Sequence, residues 1–435
     1  MTQTTALPQR LGRRDEIVAA SAPTRQRIDS IDILRGLVML IMALDHVRDF
    51  FSTEQLGASP IGDRTYPALF LTRWITHYCA PTFVFLAGAG AFLAGGRGKS
   101  RSQLSWFLLT RGLWLVVLEI TVVRCSWTFN FDMLGTNGAG VIWAIGWSMV
   151  ALSALVYLPL SAIAAFGVVM IAYHNLFDDF LVNPSHPFGW LWAVLHSGQQ
   201  MKIVIPPGSW LPTWEVVPPG PPGPPPPPPS NALFFGPGYP LIPWIGVLAS
   251  GYAFGALFRL APEKRRSQLL GLGIMLTLTF VLLRFSNLYG NLEKWRQHQE
   301  PHFTVFSFID THKYPPSVLY LLMTLGPAIA ALAVFERLRG PVANFVVVFG
   351  RVPLFYYLLH IPLIHGLLIA FTYARYHSIP KWLSDWPGMM PPEEGYPLWA
   401  VYLIWVGVVL ILYPLCVWFG GVKRRHRDSW LLSYL

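Results

Sequence analysis

Charged residues are scarce in this sequence. Asp, Glu, Lys and Arg make up only 12% of the 435 residues, about half of the share that soluble domains usually carry. Because hydrophobic residues account for 53%, the chain cannot cover its own surface with polar side chains. This composition excludes a soluble enzyme, a disordered chain and a fibrous protein, and it predicts a polytopic membrane protein.

Cysteine is rarer still, and the sequence contains no metal or nucleic-acid motif. Cys79, Cys125 and Cys416 are far apart and form neither a CxxC pair nor a disulfide framework. No Walker A, HExxH or zinc-ligand spacing is present, so we expect no metal. The formal net charge is +10, and no RNA- or DNA-binding signature accompanies it. We therefore expect no nucleic-acid partner and assign the excess of Lys and Arg to cytoplasmic loops.

Apolar windows of about 20 residues, long enough to cross a bilayer, recur along the chain. The predicted segments are 31–51, 68–94, 104–124, 140–157, 159–175, 241–259, 268–285, 316–336, 351–373 and 397–419. The stretch 140–175 is also compatible with one long kinked helix. The sequence thus predicts an all-α polytopic bundle of about ten transmembrane helices.

The distribution of Lys and Arg predicts the orientation of these segments. Positive charge is concentrated in alternate loops and in the C-terminal tail, which places both termini in the cytoplasm by the positive-inside rule. The predicted organisation is a tail (1–30), a first helix group (31–175), an external loop (176–240), a second helix group (241–419) and a basic tail (420–435). The external loop contains a proline-rich stretch, 218–229, typical of a stiff polyproline II linker.

The first helix carries polar groups along one face. At about 100° per residue, Asp32, Arg35, Met39, Met42 and His46 fall on a stripe roughly 80° wide. Ionisable residues inside membrane segments are costly and commonly mark functional sites. This stripe connects the two sides of the membrane with polar groups at both ends.

His46 is the candidate general base. Asp49, three residues further, can reach His46 on the same side of the helix and raise its basicity. Asp45 points about 100° away and needs a partner on another helix. The alternative interpretation, given equal weight, is that these residues form an interfacial polar collar.

Three further segments supply candidate site residues. His77, near the external end of the second helix, could face His46, although a lone interfacial histidine is more often structural. Lys313 and Tyr314 precede a rigid Pro-Pro pair and either shape a vestibule or anchor a helix end. His360 lies near the middle of the ninth segment.

Several of these residues belong to a pattern that resembles a known family. The matching stretches are Arg27-x-x-Ser30-x-Asp32-x-x-Arg35-Gly36, His77-Tyr-Cys-Ala-Pro81 through Gly88, Tyr239-Pro-Leu-Ile-Pro-Trp244, Lys313-Tyr-Pro-Pro-Ser317 and Phe349-Gly-Arg351 through His360. In this order they resemble the heparan-alpha-glucosaminide N-acetyltransferase-like family of the wider acyltransferase transmembrane superfamily.

The resemblance implies a helix bundle that binds acyl-CoA, by expectation acetyl-CoA, from the cytoplasm. It implies transfer of the acyl group to an acceptor across the bilayer, an essential histidine at the acyl end, and a homodimer. In the lysosomal enzyme of the family the reactive histidine follows the first helix, whereas the corresponding stretch here, 52–76, contains none. Related polysaccharide O-acyltransferases carry a histidine near the end of their first helix, which matches His46.

These expectations assign each candidate residue a role. Catalysis is assigned to Asp45, His46, Asp49 and His77, donor binding to Asp32, Arg35, Arg97, Arg111 and Arg351, and the acceptor vestibule to Lys313, Tyr314 and His360. The acceptor is expected to be an extracytoplasmic sugar or related molecule, and the location a bacterial inner membrane. His46 could act as base or as acyl carrier. A secondary transporter of a small organic solute is the alternative function, although no inverted repeat is visible.

Overall fold

The structure is a computed structural model. It describes residues 29–54, 65–96, 98–131, 135–180, 186, 188–204, 213–217, 232–380, 383, 391–426, 429 and 432. The proline-rich stretch 218–229 and Arg97 therefore lie outside the described residues.

Helices dominate the described part of the chain. In the first half they are α1 (Asp29–Phe51), α2 (Pro67–Thr76), α3 (Cys79–Gly95), α4 (Arg101–Leu118), α5 (Arg124–Thr128), α6 (Val141–Leu155), α7 (Leu160–Tyr173) and α8 (Gly189–Trp192). In the second half they are α9 (Leu241–Phe254), α10 (Pro262–Ser286), α11 (Pro301–Ile309), α12 (Val318–Phe335), α13 (Pro341–Arg351), α14 (Pro353–Tyr376) and α15 (Leu398–Arg425). Shorter helical turns extend some of them, among them a π-helical turn, Glu119–Val123, that joins α4 to α5. The predicted all-α polytopic bundle is confirmed.

Length and composition identify the membrane segments. Among the described residues, eight helical stretches are long and apolar enough to cross a membrane. They are Pro67–Gly95, Arg101–Thr128, Leu160–Phe177, Leu241–Arg259, Pro262–Ser286, Val318–Phe335, Pro353–Tyr376 and Leu398–Arg425. Two predicted segments are not among these eight stretches. Helix α6 is apolar but shorter than the others, and α1 carries six Asp and Arg residues. Each of the ten predicted segments overlaps a helix. The segment 68–94 spans two helices, α2 and α3, and the stretch 140–175 forms two helices, α6 and α7, separated at Pro159.

The described residues also form a small four-stranded sheet, which was not predicted. Its strands are β1 (Gly135–Gly138), β2 (Met201–Val204), β3 (Thr213–Val216) and β4 (Ala232–Gly236), in the order β1-β4-β2-β3. Strand β1 is parallel to β4, and β2 is antiparallel to both β4 and β3. Strands this short leave no usable alternation in the sequence, and the pairing joins residues about 100 positions apart.

Helix α1 occupies the centre of the bundle and packs against α3, α12, α13, α14 and α15. Its contact with α13 depends on two glycines. A Cβ at Gly36 would lie 2.1 Å from the Val346 carbonyl oxygen, and one at Gly350 would lie 1.8 Å from the Asp32 carbonyl oxygen. Small residues let helix backbones approach closely in a membrane. The Arg35-Gly36 and Gly350-Arg351 pairs are therefore direct packing partners.

We predict that Gly350→Ala destabilises the protein, because the added methyl group has no room against α1. Overpacking commonly costs about 1–3 kcal/mol or more, which a thermal unfolding experiment in detergent will show as a lower melting temperature. Gly407→Ala on α15 is the matched control, since nothing lies within 4 Å of its added Cβ. An equal melting temperature for Gly350→Ala and Gly407→Ala would contradict the close crossing.

Candidate functional site

Two neighbouring cavities lie beside α1. The first, which we call the Arg35 cavity, has a volume of about 290 Å³ and is largely apolar. Its wall includes Met39, Leu86 and Ile145, and its cationic residues are Arg35 and Arg111. This cavity can accept a long, mainly apolar group whose charged end lies beside the two arginines.

The second cavity, which we call the His46 cavity, has a volume of about 320 Å³ and is more polar. Asp45, His46 and Asp49 of α1 line it together with Lys313 and Tyr314. Aromatic rings of Trp127, Tyr239 and Tyr357 and a glycine-rich backbone at the ends of β1 and β4 complete the wall. Such a combination of acid–base groups and aromatic surfaces suits a polar acceptor molecule.

The two cavities share the wall residues Phe83, Val141 and Tyr357. The stripe predicted on α1 runs past this partition. Arg35 and Met39 line the Arg35 cavity, whereas Met42 and His46 line the His46 cavity. Helix α1 therefore brings its polar face to both cavities.

His46 is held among aromatic rings. The edge of the Trp127 ring lies against it with ring centroids 4.9 Å apart, and the His360 ring lies 5.2 Å away. Asp49 Oδ2 is 3.7 Å from His46 Nδ1, an ion-pair distance that is too long for a hydrogen bond. Asp49 therefore does not form the expected hydrogen bond that would orient the His46 ring. The other carboxylate oxygen of Asp49 accepts a hydrogen bond from Arg48 at 2.8 Å.

Asp45 belongs to an ion network beside His46. Arg48 Nη2 lies 2.8 Å from Asp45 Oδ1, the Thr76 hydroxyl donates to the same oxygen at 2.9 Å, and Lys313 Nζ is 3.8 Å from Oδ2. The partner on another helix that the sequence required is thus Thr76 of α2. Because its oxygens are occupied in this way, Asp45 anchors Lys313 and α2 at the edge of the cavity.

The His46 cavity is also lined by Lys313 and by two tyrosines, Tyr239 and Tyr314. Burial lowers the pKa of Lys313, but the adjacent Tyr314 phenol and the Asp45 carboxylate outweigh it and raise the pKa above its usual value. Burial also raises the pKa of Tyr239, whose hydroxyl lies 3.4 Å from that of Tyr314. Lys313 is therefore an ammonium and Tyr239 a neutral phenol at ordinary pH.

Two sequence-predicted site residues lie away from the cavities. His77 packs against the Tyr320 ring, with centroids 5.5 Å apart, and does not line the His46 cavity. His360 is fully buried behind His46 instead of lining an acceptor vestibule. His360 Nδ1 is 2.6 Å from the Tyr357 carbonyl oxygen, and the helical turn below it therefore fixes the ring. The sequence could not reveal these orientations because each depends on which neighbour the helix faces.

Only some of the residues assigned to donor binding line the Arg35 cavity. Arg35 lines its cavity and forms a 3.5 Å ion pair with Asp32, one helical turn away. Arg111 lines the same cavity. Arg351 does not line it and lies 3.7 Å from Asp29 at the surface. Among the arginines that the structure describes, only Arg35 and Arg111 line the Arg35 cavity.

The structure adds site residues that sequence reasoning missed. Glu119 and Trp127 line the His46 cavity, as do Gly138, Ala139 and Gly140. One signal was available for Glu119, since it is a lone carboxylate in an apolar segment. The run Gly135-Thr-Asn-Gly-Ala-Gly140 was a second signal, because glycines allow a ligand to approach the backbone. Within the described ranges, no group of three or more His, Cys, Asp or Glu side chains is placed to hold a metal ion.

Comparison with known proteins finds a similarity in the first part of the chain. Residues 27–206 match the family model described as heparan-alpha-glucosaminide N-acetyltransferase, catalytic. The match begins just before α1 and ends just after β2, so it includes His46, Glu119 and both arginines of the Arg35 cavity. No curated protein matches the chain.

Proposed function

We propose that the protein is a membrane acetyltransferase, because residues 27–206 match the family model described as heparan-alpha-glucosaminide N-acetyltransferase, catalytic. In this proposal the protein transfers an acyl group, with acetyl as the expected one, from cytoplasmic acyl-CoA to a hydroxyl or amine of an extracytoplasmic sugar or related acceptor. The observation that supports this proposal is the pair of cavities on either side of Phe83, Val141 and Tyr357.

The Arg35 cavity is the proposed donor site. Acyl-CoA carries several phosphates, and guanidinium groups bind phosphate through paired, charge-assisted hydrogen bonds. Arg35 and Arg111 are suitably charged, and Asp32 positions Arg35. The apolar wall suits the pantetheine arm. We include two further cations that attract the nucleotide: Arg351, which lies at the surface beside Asp29, and Arg97, which lies outside the described residues.

The His46 cavity is the proposed reaction site. An acceptor oxygen or nitrogen attacks the thioester carbonyl while His46 removes its proton, which gives a tetrahedral intermediate. Collapse of this intermediate breaks the carbon–sulfur bond, and the imidazolium returns the proton to the CoA thiolate. The products are acylated acceptor and free CoA thiol. The acyl-carrier alternative routes the same acyl group through His46 itself.

Neighbouring residues support His46 in this proposal. His360 lies behind it and Trp127 beside it, and Asp49 supplies negative charge that stabilises the imidazolium. Lys313 and Tyr314 line the acceptor side together with Tyr239. Aromatic rings provide apolar faces for a sugar, and the ammonium and phenol groups bind its hydroxyls. The proposed location of the protein is a bacterial inner membrane. From the family resemblance we also propose a homodimer.

The proposed function is tested with detergent-purified protein and labelled acetyl-CoA. We expect free CoA thiol to appear at a rate that depends on an added sugar acceptor, because transfer breaks the thioester. A secondary transporter would leave the thioester intact under every acceptor condition. Intact acetyl-CoA throughout a panel of neutral, cationic and anionic sugars would therefore overturn the proposal.

A further inference from the structure

Glu119 is a buried carboxylate in the wall of the His46 cavity. It begins the π-helical turn Glu119–Val123 between α4 and α5, and only 2% of it is exposed. π-Helical turns inside α-helices are rare and frequently occur at functional sites. Sequence reasoning gave Glu119 no role, and the reaction proposed above does not use it.

One oxygen of this carboxylate is held by the protein backbone. Oε1 accepts a hydrogen bond from the Gly140 amide at 2.8 Å, at the N-terminus of α6. The residue at position 140 must be small for this contact, because a Cβ there would lie 2.8 Å from Oε1. Glu119 therefore has a fixed position relative to α6.

The other oxygen makes no direct hydrogen bond. Oε2 is buried and meets no donor at hydrogen-bond geometry in the described part of the chain, although the Ile142 and Trp143 amides at the start of α6 also act on the carboxylate. Asp45 and Asp49 of the same cavity pair with Arg48, but among the described residues no such cation pairs with Glu119. A buried carboxylate is costly unless its oxygens are hydrogen-bonded. A ligand in the cavity that donates a hydrogen bond would satisfy Oε2.

We propose that Glu119 is an acceptor-binding residue whose Oε2 accepts a hydrogen bond from a hydroxyl or ammonium group of the acceptor. This inference rests on the proposed function and specifies its acceptor side. Asp45 and Asp49 pair with Arg48, and Asp45 also with Lys313, whereas the lining carboxylate of Glu119 pairs with no cation among the described residues. The site therefore selects neutral or cationic acceptors and rejects anionic ones, since a second carboxylate beside Oε2 would be repelled.

A purely structural role for Glu119 makes a different prediction. If the side chain only holds the N-terminus of α6, then Glu119→Gln is nearly silent, because the amide oxygen of Gln can accept the same Gly140 hydrogen bond. The substitution removes the charge and keeps the size. It therefore separates ligand binding from helix capping.

The test measures steady-state transfer from labelled acetyl-CoA to glucose, glucosamine and glucuronate with the purified full chain. We expect Glu119→Gln to raise the KM for the accepted sugars about tenfold or more, since a charge-assisted hydrogen bond is weakened. The KM for acetyl-CoA should stay unchanged, and discrimination against glucuronate should decrease. Glu336→Gln is the matched control, because Glu336 is a half-buried carboxylate that lines neither cavity and pairs with Arg265.

The outcomes separate this inference from the proposed function. Unchanged acceptor KM in a Glu119→Gln protein that still transfers would overturn the role of Glu119 and leave the function standing. No acceptor-dependent transfer by the wild type would overturn both. Should Glu119→Gln fail to fold, Gly140→Ala provides the second variant, since its methyl group displaces Oε1. A Gly140→Ala protein with unchanged acceptor KM would also contradict the inference.

Discussion

His46→Ala is expected to lower kcat for acyl transfer by about 10²-fold or more, the usual contribution of a general base. The imidazole lines the cavity in which acceptor and thioester are proposed to meet, and no other described histidine lines that cavity. His360 is next to it but buried. The melting temperature should change little, because His46 Nδ1 has no hydrogen-bond partner among the described residues.

The measurement is steady-state release of CoA thiol in the presence of acceptor. His302→Ala is the control, since His302 lies on α11, pairs with Glu300 and lines neither cavity. Added imidazole should restore part of the activity of His46→Ala, because it can occupy the vacated space and remove the proton. Wild-type kcat in a folded His46→Ala protein would exclude His46 as base and as acyl carrier.

Gly90→Trp is expected to abolish transfer by filling the Arg35 cavity. Gly90 lines this cavity, and its added Cβ would meet only the Arg35 guanidinium, at 3.9 Å. The backbone can therefore accept a side chain, but an indole would occupy space that the pantetheine arm needs. Because a small displacement of a reacting group can reduce the rate about 10²-fold, we expect kcat/KM for acyl-CoA to fall by at least that factor.

Binding of labelled acetyl-CoA and transfer are measured on the same preparation. Gly271→Trp on the exposed face of α10 is the matched control, since nothing lies within 4 Å of its added Cβ. Gly90→Trp should lose donor binding while Gly271→Trp keeps it. Undiminished acetyl-CoA binding by Gly90→Trp would place the donor somewhere other than the Arg35 cavity.

Local sequence signals were sufficient for the long apolar helices and for one face of the site. Apolar runs of about 20 residues predicted the helices that are long enough to cross a membrane, whereas the shorter helices α11 and α13 were not predicted. The 3.6-residue period placed Arg35, Met39, Met42 and His46 on one face of α1, and these four residues line the two cavities. Asp32 belongs to the same face and supports Arg35 through its ion pair.

Features that depend on distant pairing could not be predicted. Glu119 and Gly140 meet because α4 and α6 pack together, and the sequence gave no register for that contact. His77 and His360 were interpreted by depth alone, but their rings are turned toward Tyr320 and toward the back of His46. The small sheet likewise joins β1 to β4 across two helices of the first group. In each case the missing information was which side chain a neighbouring element presents.

The central claim is that the acyl group passes from a donor on one side of the membrane to an acceptor on the other. Proteoliposomes of uniform orientation, checked by protease accessibility of a C-terminal tag, test it directly. Labelled acetyl-CoA is supplied on one side and a membrane-impermeant sugar on the other. We predict acylated sugar when acetyl-CoA is on the side of the C-terminus and the sugar opposite; equally fast transfer with both on the same side would contradict the account.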